Sequence, residues 1–171
     1  ENNPSENCLG VDLTTYGRTK FEGERAVLQR LEGTTVEPVI LRMPLVYGRG
    51  VKGNLRSLYQ IILRGLPIPL NGITENRRSM LSVSNLCSFI ELIVNSGKFS
   101  NKVYNLKDAY DYSTAAIIKN IIIANNLKDR TFRLNPKLLE FIITRYSKPM
   151  ANKLLFSDTL NDGLARTELD W

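Results

Sequence analysis

Apolar and polar positions along the chain predict short strands that alternate with helices. Segment 36–42 is short, apolar and β-branched, which is typical of a buried strand, and three further short segments are predicted as strands: 68–70, 79–83 and 103–106. Six longer segments have apolar residues at helical spacing: 14–32, 55–64, 84–97, 114–125, 136–146 and 162–171. Because strands and helices alternate, the pattern predicts an α/β fold with a sheet that is at least partly parallel.

Capping and breaking residues set the ends of these elements. Gly33 follows the first helix, Asn54 is expected to cap the second, and Ser113 is expected to cap the helix at 114–125. Pro136 suits the first position of a helix, and Pro44 is expected to stop the first strand. Between that strand and the second helix, residues 46–53 form a glycine-rich loop that carries two cations.

Composition limits the chemistry that these residues can perform. The 171 residues are 43% apolar, which suits one domain, or the larger part of one, with a real core. The sequence contains no histidine, and this excludes Ser-His-Asp and Cys-His nucleophiles and any His-ligated metal site; no metal is expected. Cys8 and Cys87 lack paired or metal-ligand spacing, so we expect free thiols and a cytoplasmic location.

The net charge of +6 suits a phosphate-bearing partner. The basic residues are dispersed and form no Lys/Arg tract, so nucleic-acid binding is not expected. Residues 138–156 combine apolar side chains with Arg145, Lys148 and Lys153. This combination predicts the core of a substrate domain, with contact to an anionic membrane surface, such as the inner face of the cell membrane, as the alternative.

Tyr16 and Lys20 offer proton chemistry in a chain without histidine. Their spacing of four residues places both side chains on one face of a helix. A nearby ammonium favours the phenolate form of tyrosine, which makes the phenol a better general base at neutral pH. A Tyr-x-x-x-Lys pattern also arises by chance as a packed aromatic residue beside a solvated lysine, so the surrounding motifs decide between these interpretations.

Five motifs appear in an order typical of one family. They are Tyr-Gly-Arg-Thr-Lys at 16–20, Leu-Arg-Met-Pro-Leu-Val-Tyr-Gly at 41–48, Gly-Asn-Leu at 53–55, Arg-Ser-Met-Leu-Ser-Val-Ser-Asn-Leu at 78–86 and Leu-Asp-Trp at 169–171. On these motifs the chain resembles the C-terminal half of extended short-chain dehydrogenase/reductases, in the NAD-dependent epimerase/dehydratase family that includes UDP-glucose 4-epimerases. It departs from the family pattern at Leu45, where many members carry Asn, and at Asn85 and Asp170.

The resemblance implies the C-terminal part of a doubly wound, Rossmann-type parallel sheet and a smaller substrate-binding α/β subdomain. Residues 1–48 and 80–106 would belong to the dinucleotide-binding domain, and residues 49–79 and 107–171 to the sugar-nucleotide domain. The glycine-rich N-terminal half of the family, with the Ser/Thr that accompanies the Tyr–Lys pair, is absent. The natural protein is therefore expected to be longer, and this segment is expected to be inactive alone.

The resemblance also implies roles for individual residues. Tyr16 and Lys20 would be catalytic, with Tyr16 as the general base that acts on a sugar hydroxyl. The expected cofactor is NAD, with NADP as the alternative, and its contacts would be Tyr16, Lys20, Pro44, Leu45 and Val46. The expected substrate is a nucleotide-diphosphate sugar, and its contacts would be Asn54, Leu55, Pro69, Asn71 and Arg78.

The function implied by the resemblance is a nucleotide-sugar 4-epimerase, which would act as a homodimer built through the Tyr16 helix. An NAD(P)H-dependent 4-keto-sugar reductase or a dehydratase of surface-polysaccharide synthesis, acting on a free or lipid-linked sugar, is the alternative within enzymes. An alternative of another class is a non-catalytic cofactor-sensing or nucleic-acid-binding protein, which only the basic charge supports.

Overall fold

The computed structural model describes residues 15–96, 102–146, 151 and 154–169. Ten elements follow one another in it: α1 Thr15–Leu31, β1 Val39–Arg42, β2 Leu45–Tyr47, α2 Gly53–Leu63, β3 Met80–Ser82, α3 Val83–Ser96, β4 Lys102–Asn105, α4 Thr114–Ala124, α5 Pro136–Tyr146 and α6 Gly163–Leu169. The sequence features at Cys8, at Asp170 and at Trp171 lie outside the described residues.

The strands pair in parallel, which confirms the predicted α/β class. β1 pairs with β4 in a register that joins Val39 to Lys102, and β2 pairs with β3 in a register that joins Leu45 to Met80. Helices connect the paired strands, as parallel pairing requires. The division of the chain into two domains at the predicted boundaries stays a prediction.

Strand β2 is the element that the sequence did not predict. β1 ends at Arg42, before Pro44, as predicted, and a second short strand begins directly after the proline. Since proline has no amide hydrogen, the ladder between β1 and β4 breaks there, and the next three residues pair with β3 instead. Val46 and Tyr47, which were predicted as the start of the glycine-rich loop, therefore belong to β2.

The helix ends predicted from the sequence agree only in part with those in the structure. Ser113 caps α4, because its hydroxyl accepts a hydrogen bond from the amide of Ala116 at 3.1 Å. Gly33 follows α1 with φ +74°, and Pro136 is the first residue of α5. The prediction that Asn54 caps α2 is wrong, because the cap is Lys52 and Asn54 lies inside the first turn. Segment 68–70 forms only isolated bridges, Ile68 to Thr131 and Leu70 to Arg133.

Three clusters of buried apolar residues hold these elements together. The first cluster packs α2, α4 and α5 and comprises Ile62, Ile68, Leu70, Ile73, Ile118, Ile122 and Leu139. The second packs α3 and α6 on β3 and β4 and comprises Leu81, Phe89, Tyr104, Leu106 and Ala165. The third joins α2 and α4 to β3 and comprises Leu55, Met80 and Ile117. The second and third clusters therefore tie the parallel strands to the helices around them.

Helix α1 has no buried residue and is tied to the sheet by an ion pair. The guanidinium of Arg42, at the carboxyl end of β1, donates to the Glu24 carboxylate at 2.7 Å, and both side chains are mostly shielded from solvent. In the part of the chain that the structure describes, no helix has the length and apolar character needed to cross a membrane.

Candidate functional site

Tyr16 and Lys20 lie on one face of the first turns of α1, as the sequence predicted. The Lys20 ammonium lies 5.7 Å from the centre of the Tyr16 ring, within the range of a cation–π contact. Tyr16 is 73% exposed, and Lys20 is also exposed. Lys20 forms no ion pair with any described carboxylate, whereas Arg18 on the same helix pairs with Glu22 at 3.1 Å. The phenol and the ammonium are thus both accessible to a ligand.

The Glu24–Arg42 ion pair locates the Tyr16–Lys20 face of α1 relative to the sheet. Arg42 ends β1, so Glu24 stands beside the carboxyl end of that strand. A helix that connects into a parallel strand runs opposite to it, so residues nearer the start of α1 lie farther beyond that end. Tyr16 is two turns before Glu24. In open parallel sheets, ligands bind outside the carboxyl ends of the strands.

The predicted cofactor contacts Pro44, Leu45 and Val46 lie immediately after β1, next to this edge of the sheet. All three are half-buried. Leu45 packs on the third cluster, whose members Leu55 and Met80 also line a large cavity. The β2 strand therefore links the edge beside α1 to the wall of that cavity.

A cavity of about 790 Å³ lies between α2, α4 and the glycine-rich loop. Its volume falls within the range of roughly 300–1,000 Å³ that is usual for small-molecule sites. Apolar side chains from the third cluster form its walls, and polar side chains stand along it. The polar lining residues include Tyr47, Arg49, Arg56, Tyr59, Gln60 and Asn120.

Two cations line this cavity without a described partner. Arg49 comes from the glycine-rich loop and Arg56 from the first turns of α2, and both are exposed. Among the residues that the structure describes, neither forms an ion pair. An apolar cavity that also carries two available guanidinium groups suits a ligand with an organic body and a phosphate or diphosphate group.

The predicted substrate contacts are not gathered in one place. Leu55 lines the cavity, and Asn54 is exposed beside it in the first turn of α2. Pro69 and Asn71 lie elsewhere, in the segment that bridges to residues 131–133; the amide of Asn71 donates to the carbonyl of Phe132 at 3.3 Å. The structure thus brings Leu55 to the cavity and leaves Pro69 and Asn71 out of its lining.

Arg78 is buried behind the cavity wall, while its neighbour Arg77 is exposed. The backbone of Arg78 exchanges two hydrogen bonds with Tyr112, which lines the cavity, at 2.9 and 3.0 Å. Its guanidinium lies 3.4 Å from the Asp158 carboxylate. Burial lowers the pKa of the Arg78 guanidinium, and the negative charge of Asp158 opposes that effect. Its proposed pairing with a diphosphate stays a prediction.

Asp108 is a site residue that sequence analysis missed. Its carboxylate accepts hydrogen bonds from the Tyr47 hydroxyl and from the Asn85 amide group, each at 2.7 Å, and from the amide of Ser82 at 3.2 Å. Its own amide donates to the carbonyl of Met80 at 2.7 Å. One residue thus joins the carboxyl ends of β2 and β3 to the start of α3. In the sequence, the only sign of this role is that Asp108 is a polar residue shortly after a predicted strand.

The bond to Asp108 gives Tyr47 a distinctive titration. The hydrogen bond to Asp108, then burial, then the charge of Asp108 raise the pKa of Tyr47 from 10.0 to about 12. The folded state therefore keeps a proton that the unfolded state has already released. The resulting stabilisation is fully present below pH 10 and is lost as the pH rises towards about 12.

We expect Tyr47→Phe to remove the phenol that titrates with a pKa of about 12 when phenolate absorbance is followed against pH. The same change should flatten the loss of stability above pH 10 in denaturant titrations. Tyr110, which is 71% exposed, gives the matched control Tyr110→Phe. An unchanged titration in Tyr47→Phe would show that the bond to Asp108 does not form in solution.

Within the described ranges, no cluster of three or more His, Cys, Asp or Glu residues could hold a metal ion. Cys87 is an exposed free thiol. The site therefore consists of an exposed Tyr–Lys face on α1, an apolar cavity with two arginines, and the Asp108 junction at the carboxyl ends of β2 and β3.

The profile of the "NAD dependent epimerase/dehydratase family" matches residues 1–106, which is more than half of the chain. The chain belongs to this family. The match confirms the resemblance that the five motifs indicated, and all four strands lie inside the matched range.

Curated members of the epimerase/dehydratase family are similar to the chain over much of its length. A UDP-glucose 4-epimerase of Vibrio cholerae is 37% identical over 109 residues, which are 64% of this chain and 33% of that protein. An N-acetyl-alpha-D-glucosaminyl-diphospho-ditrans,octacis-undecaprenol 4-epimerase of Escherichia coli O157:H7 is 25% identical over 130 residues, which are 75% of this chain and 39% of that protein.

Solved structures of the same kind share the fold. A UDP-N-acetylglucosamine 4-epimerase from Bacillus cereus superposes with a TM-score of 0.73 at 15% identity, over 100% of this chain and 53% of that one. A dTDP-glucose 4,6-dehydratase from Bacillus anthracis, in complex with NAD, superposes with a TM-score of 0.71 at 17% identity, over 100% of this chain and 50% of that one. The chain therefore spans about half the length of these enzymes, and the Rossmann-type interpretation of its parallel strands is confirmed.

Proposed function

We propose that the whole protein is an NAD-dependent nucleotide-sugar 4-epimerase, and that this chain supplies its proton-handling pair and part of its substrate site. The observation that carries the proposal is the Tyr16–Lys20 face of α1, which is exposed beyond the carboxyl end of β1. The similarity to the Vibrio cholerae UDP-glucose 4-epimerase supports the choice of reaction within the family.

The residues present fit the nicotinamide end of NAD. Lys20 has an exposed ammonium without a described anionic partner, so it can donate to the hydroxyls of a ribose. Pro44, Leu45 and Val46 offer a half-buried apolar surface beside the same edge of the sheet. When bound, NAD would supply the acceptor, and later the donor, of a hydride at the sugar carbon.

The chain's own contribution is to control a proton. The Tyr16 hydroxyl oxygen would accept the proton of the sugar 4-hydroxyl and later return it. The Lys20 ammonium, whose nitrogen lies 5.7 Å from the centre of the Tyr16 ring, would hold a positive charge beside this proton transfer. Because an epimerase takes and returns the same proton and hydride, Tyr16 must act as base and as acid within one turnover.

The cavity would hold part of the sugar nucleotide. Arg49 and Arg56 would pair with the diphosphate, and the third cluster would pack against the less polar part of the ligand. Asn54, in the first turn of α2, and Leu55 would lie along the same path, as the resemblance implied.

An assay of the whole protein tests the proposed reaction. An epimerase interconverts UDP-glucose and UDP-galactose with no net change in NADH absorbance, whereas a 4-keto-sugar reductase consumes the reduced cofactor. A dehydratase releases water and leaves a 4-keto sugar. Steady NADH absorbance together with the appearance of the second sugar supports the proposal, and net consumption of NADH contradicts it.

Replacing Arg56 by glutamine should weaken the binding of UDP by about tenfold or more, because a charge-assisted hydrogen bond to a phosphate is lost. Isothermal titration calorimetry on the whole protein measures this change. Arg64→Gln is the matched control, because Arg64 is an exposed arginine at the other end of α2 and lies outside the cavity lining. Equal losses in the two variants would indicate a general effect of charge and remove the cavity from the proposed site.

A second candidate substrate is a sugar diphosphate carried on a polyprenyl lipid. The similarity to the Escherichia coli undecaprenol-linked 4-epimerase and the apolar walls of the cavity favour it. The two substrates share the diphosphate and the sugar and differ in the group beyond the diphosphate. Epimerisation of a polyprenyl-diphosphate sugar, without turnover of the UDP-sugar, would support this candidate over the first.

We further propose that the whole protein forms a homodimer through α1. None of the residues of this helix is buried within the chain, and apolar side chains such as Val27 remain exposed on it. Sedimentation of the whole protein at a monomer mass would contradict the dimer.

A further inference from the structure

Helix α5 has apolar side chains on two faces, and only one of them is covered. Leu139 is 2% exposed and Ile143 is half-buried, and both pack on the first cluster. Leu138, Phe141 and Ile142 are 49%, 71% and 39% exposed. The spacing of these three residues places them side by side on the helix surface. We call these three residues the outer stripe of α5.

An exposed stripe of this kind is unusual on a helix that already buries one apolar face. A helix at the surface of a globular protein normally turns charged and polar residues towards solvent. Contiguous exposed apolar residues are typical of a surface that meets a partner or a membrane. The outer stripe is therefore a candidate contact surface.

The charge around the outer stripe indicates which partner it meets. Lys137 precedes Phe141 by one turn of α5 and is exposed. On α5, Arg145 follows Phe141 and Ile142 by one turn and is exposed on the same side. Glu140 lies on another side of the helix. The stripe is thus apolar at its centre and has an exposed basic residue one turn away towards each end of the helix.

We infer that the outer stripe of α5 docks the protein on an anionic lipid membrane. Apolar side chains enter the boundary between headgroups and acyl chains, and the basic residues around them are attracted to anionic headgroups. Docking on a second copy of the chain is less favourable, since a two-fold contact would bring two surfaces of the same positive charge together. The inference is independent of the proposed function and concerns only where the protein acts.

The outer stripe of α5 is separate from the Tyr16–Lys20 face of α1. The inner face of α5 packs on the first cluster, and none of the seven buried members of that cluster belongs to β1–β4. Tyr16 and Lys20 lie at the edge of the sheet beside β1.

Vesicle co-sedimentation of the whole natural protein tests the inference. The protein should sediment with vesicles of phosphatidylcholine mixed with phosphatidylglycerol and remain in the supernatant with phosphatidylcholine alone. Raising the salt concentration should release it, because the attraction to the surface is screened within a Debye length. No binding to the anionic vesicles would overturn the inference.

Variants assign the binding to the outer stripe. Phe141→Ser should weaken vesicle binding by about tenfold or more, because a large apolar side chain no longer leaves water. Arg145→Gln should weaken it by about fivefold. Val94→Ser is the matched control, because Val94 is 73% exposed on a different helix, α3. Binding that Phe141→Ser leaves unchanged would overturn the inference.

A fluorescent variant gives a second, independent measurement. Phe141→Trp should show a blue shift and quenching by bromine-labelled lipid when anionic vesicles are added, and Val94→Trp should show neither. In the absence of lipid, analytical ultracentrifugation of Phe141→Ser tests whether the outer stripe contacts a second copy of the chain instead. If Phe141→Ser dissociates an oligomer that the unchanged protein forms, the stripe contacts a second copy and the membrane inference is wrong.

Discussion

Replacing Tyr16 by phenylalanine should lower kcat of the whole protein by about a thousandfold, the usual size of the loss when a general base is removed. Tyr16 is 73% exposed and is not part of any buried cluster, so the change should leave the fold and the binding of substrate intact. Steady-state kinetics with UDP-glucose, together with thermal unfolding, separate a loss of chemistry from a loss of structure.

Tyr110→Phe is the control for this variant, because Tyr110 is 71% exposed and lies outside the cavity lining. Lys20→Met should also lower kcat, because the positive charge beside the Tyr16 ring is lost. Unchanged turnover in Tyr16→Phe would refute the role of Tyr16 as base.

Replacing Phe89 by alanine should lower the free energy of unfolding by about 3–5 kcal/mol, because a fully buried aromatic ring leaves a cavity. Phe89 is 0% exposed, and its ring meets that of Tyr104 edge-on with centroids 5.8 Å apart. Since domains of this size are stable by about 5–15 kcal/mol, the loss is a large share of the total. Urea denaturation measures it.

The neighbouring residue supplies the control for this prediction. Ile90 is 44% exposed on the same helix, so Ile90→Ala should change stability by about 1 kcal/mol at most. The contrast tests whether the second cluster joins α3 to β3 and β4 as one cooperative unit. A small effect of Phe89→Ala would show that α3 and the parallel strands do not unfold together.

Local patterns in the sequence were sufficient for the helices. Ser113 and Pro136 set the starts of α4 and α5 through capping and a fixed φ, which depend only on neighbouring residues. Gly33 ended α1 for the same kind of reason, because its positive φ suits glycine. The motifs around these helices were then enough to identify the family and the parallel α/β fold.

Contacts between distant residues could not be predicted. β2 exists because residues 45–47 pair with residues 80–82, and a proline at position 44 hid this pairing. The start of α2 at Gly53 moved the cap from Asn54 to Lys52, a difference of two residues that propensity alone does not resolve. The cavity depends on how α2 packs on α4, so of the predicted substrate contacts only Leu55 lines it.

The Asp108 junction has a consequence for engineering within this family. One carboxylate holds Tyr47 at the cavity wall and Asn85 at the start of α3. If the loop that contains position 108 were transplanted from a relative, it would bring a new residue to that position. Tyr47 and Asn85 would remain unchanged and would lose their shared partner. A graft that changes the ligand specificity of the cavity therefore has to exchange Tyr47, Asn85 and Asp108 together. These three residues are distant in the sequence but form one hydrogen-bonded unit.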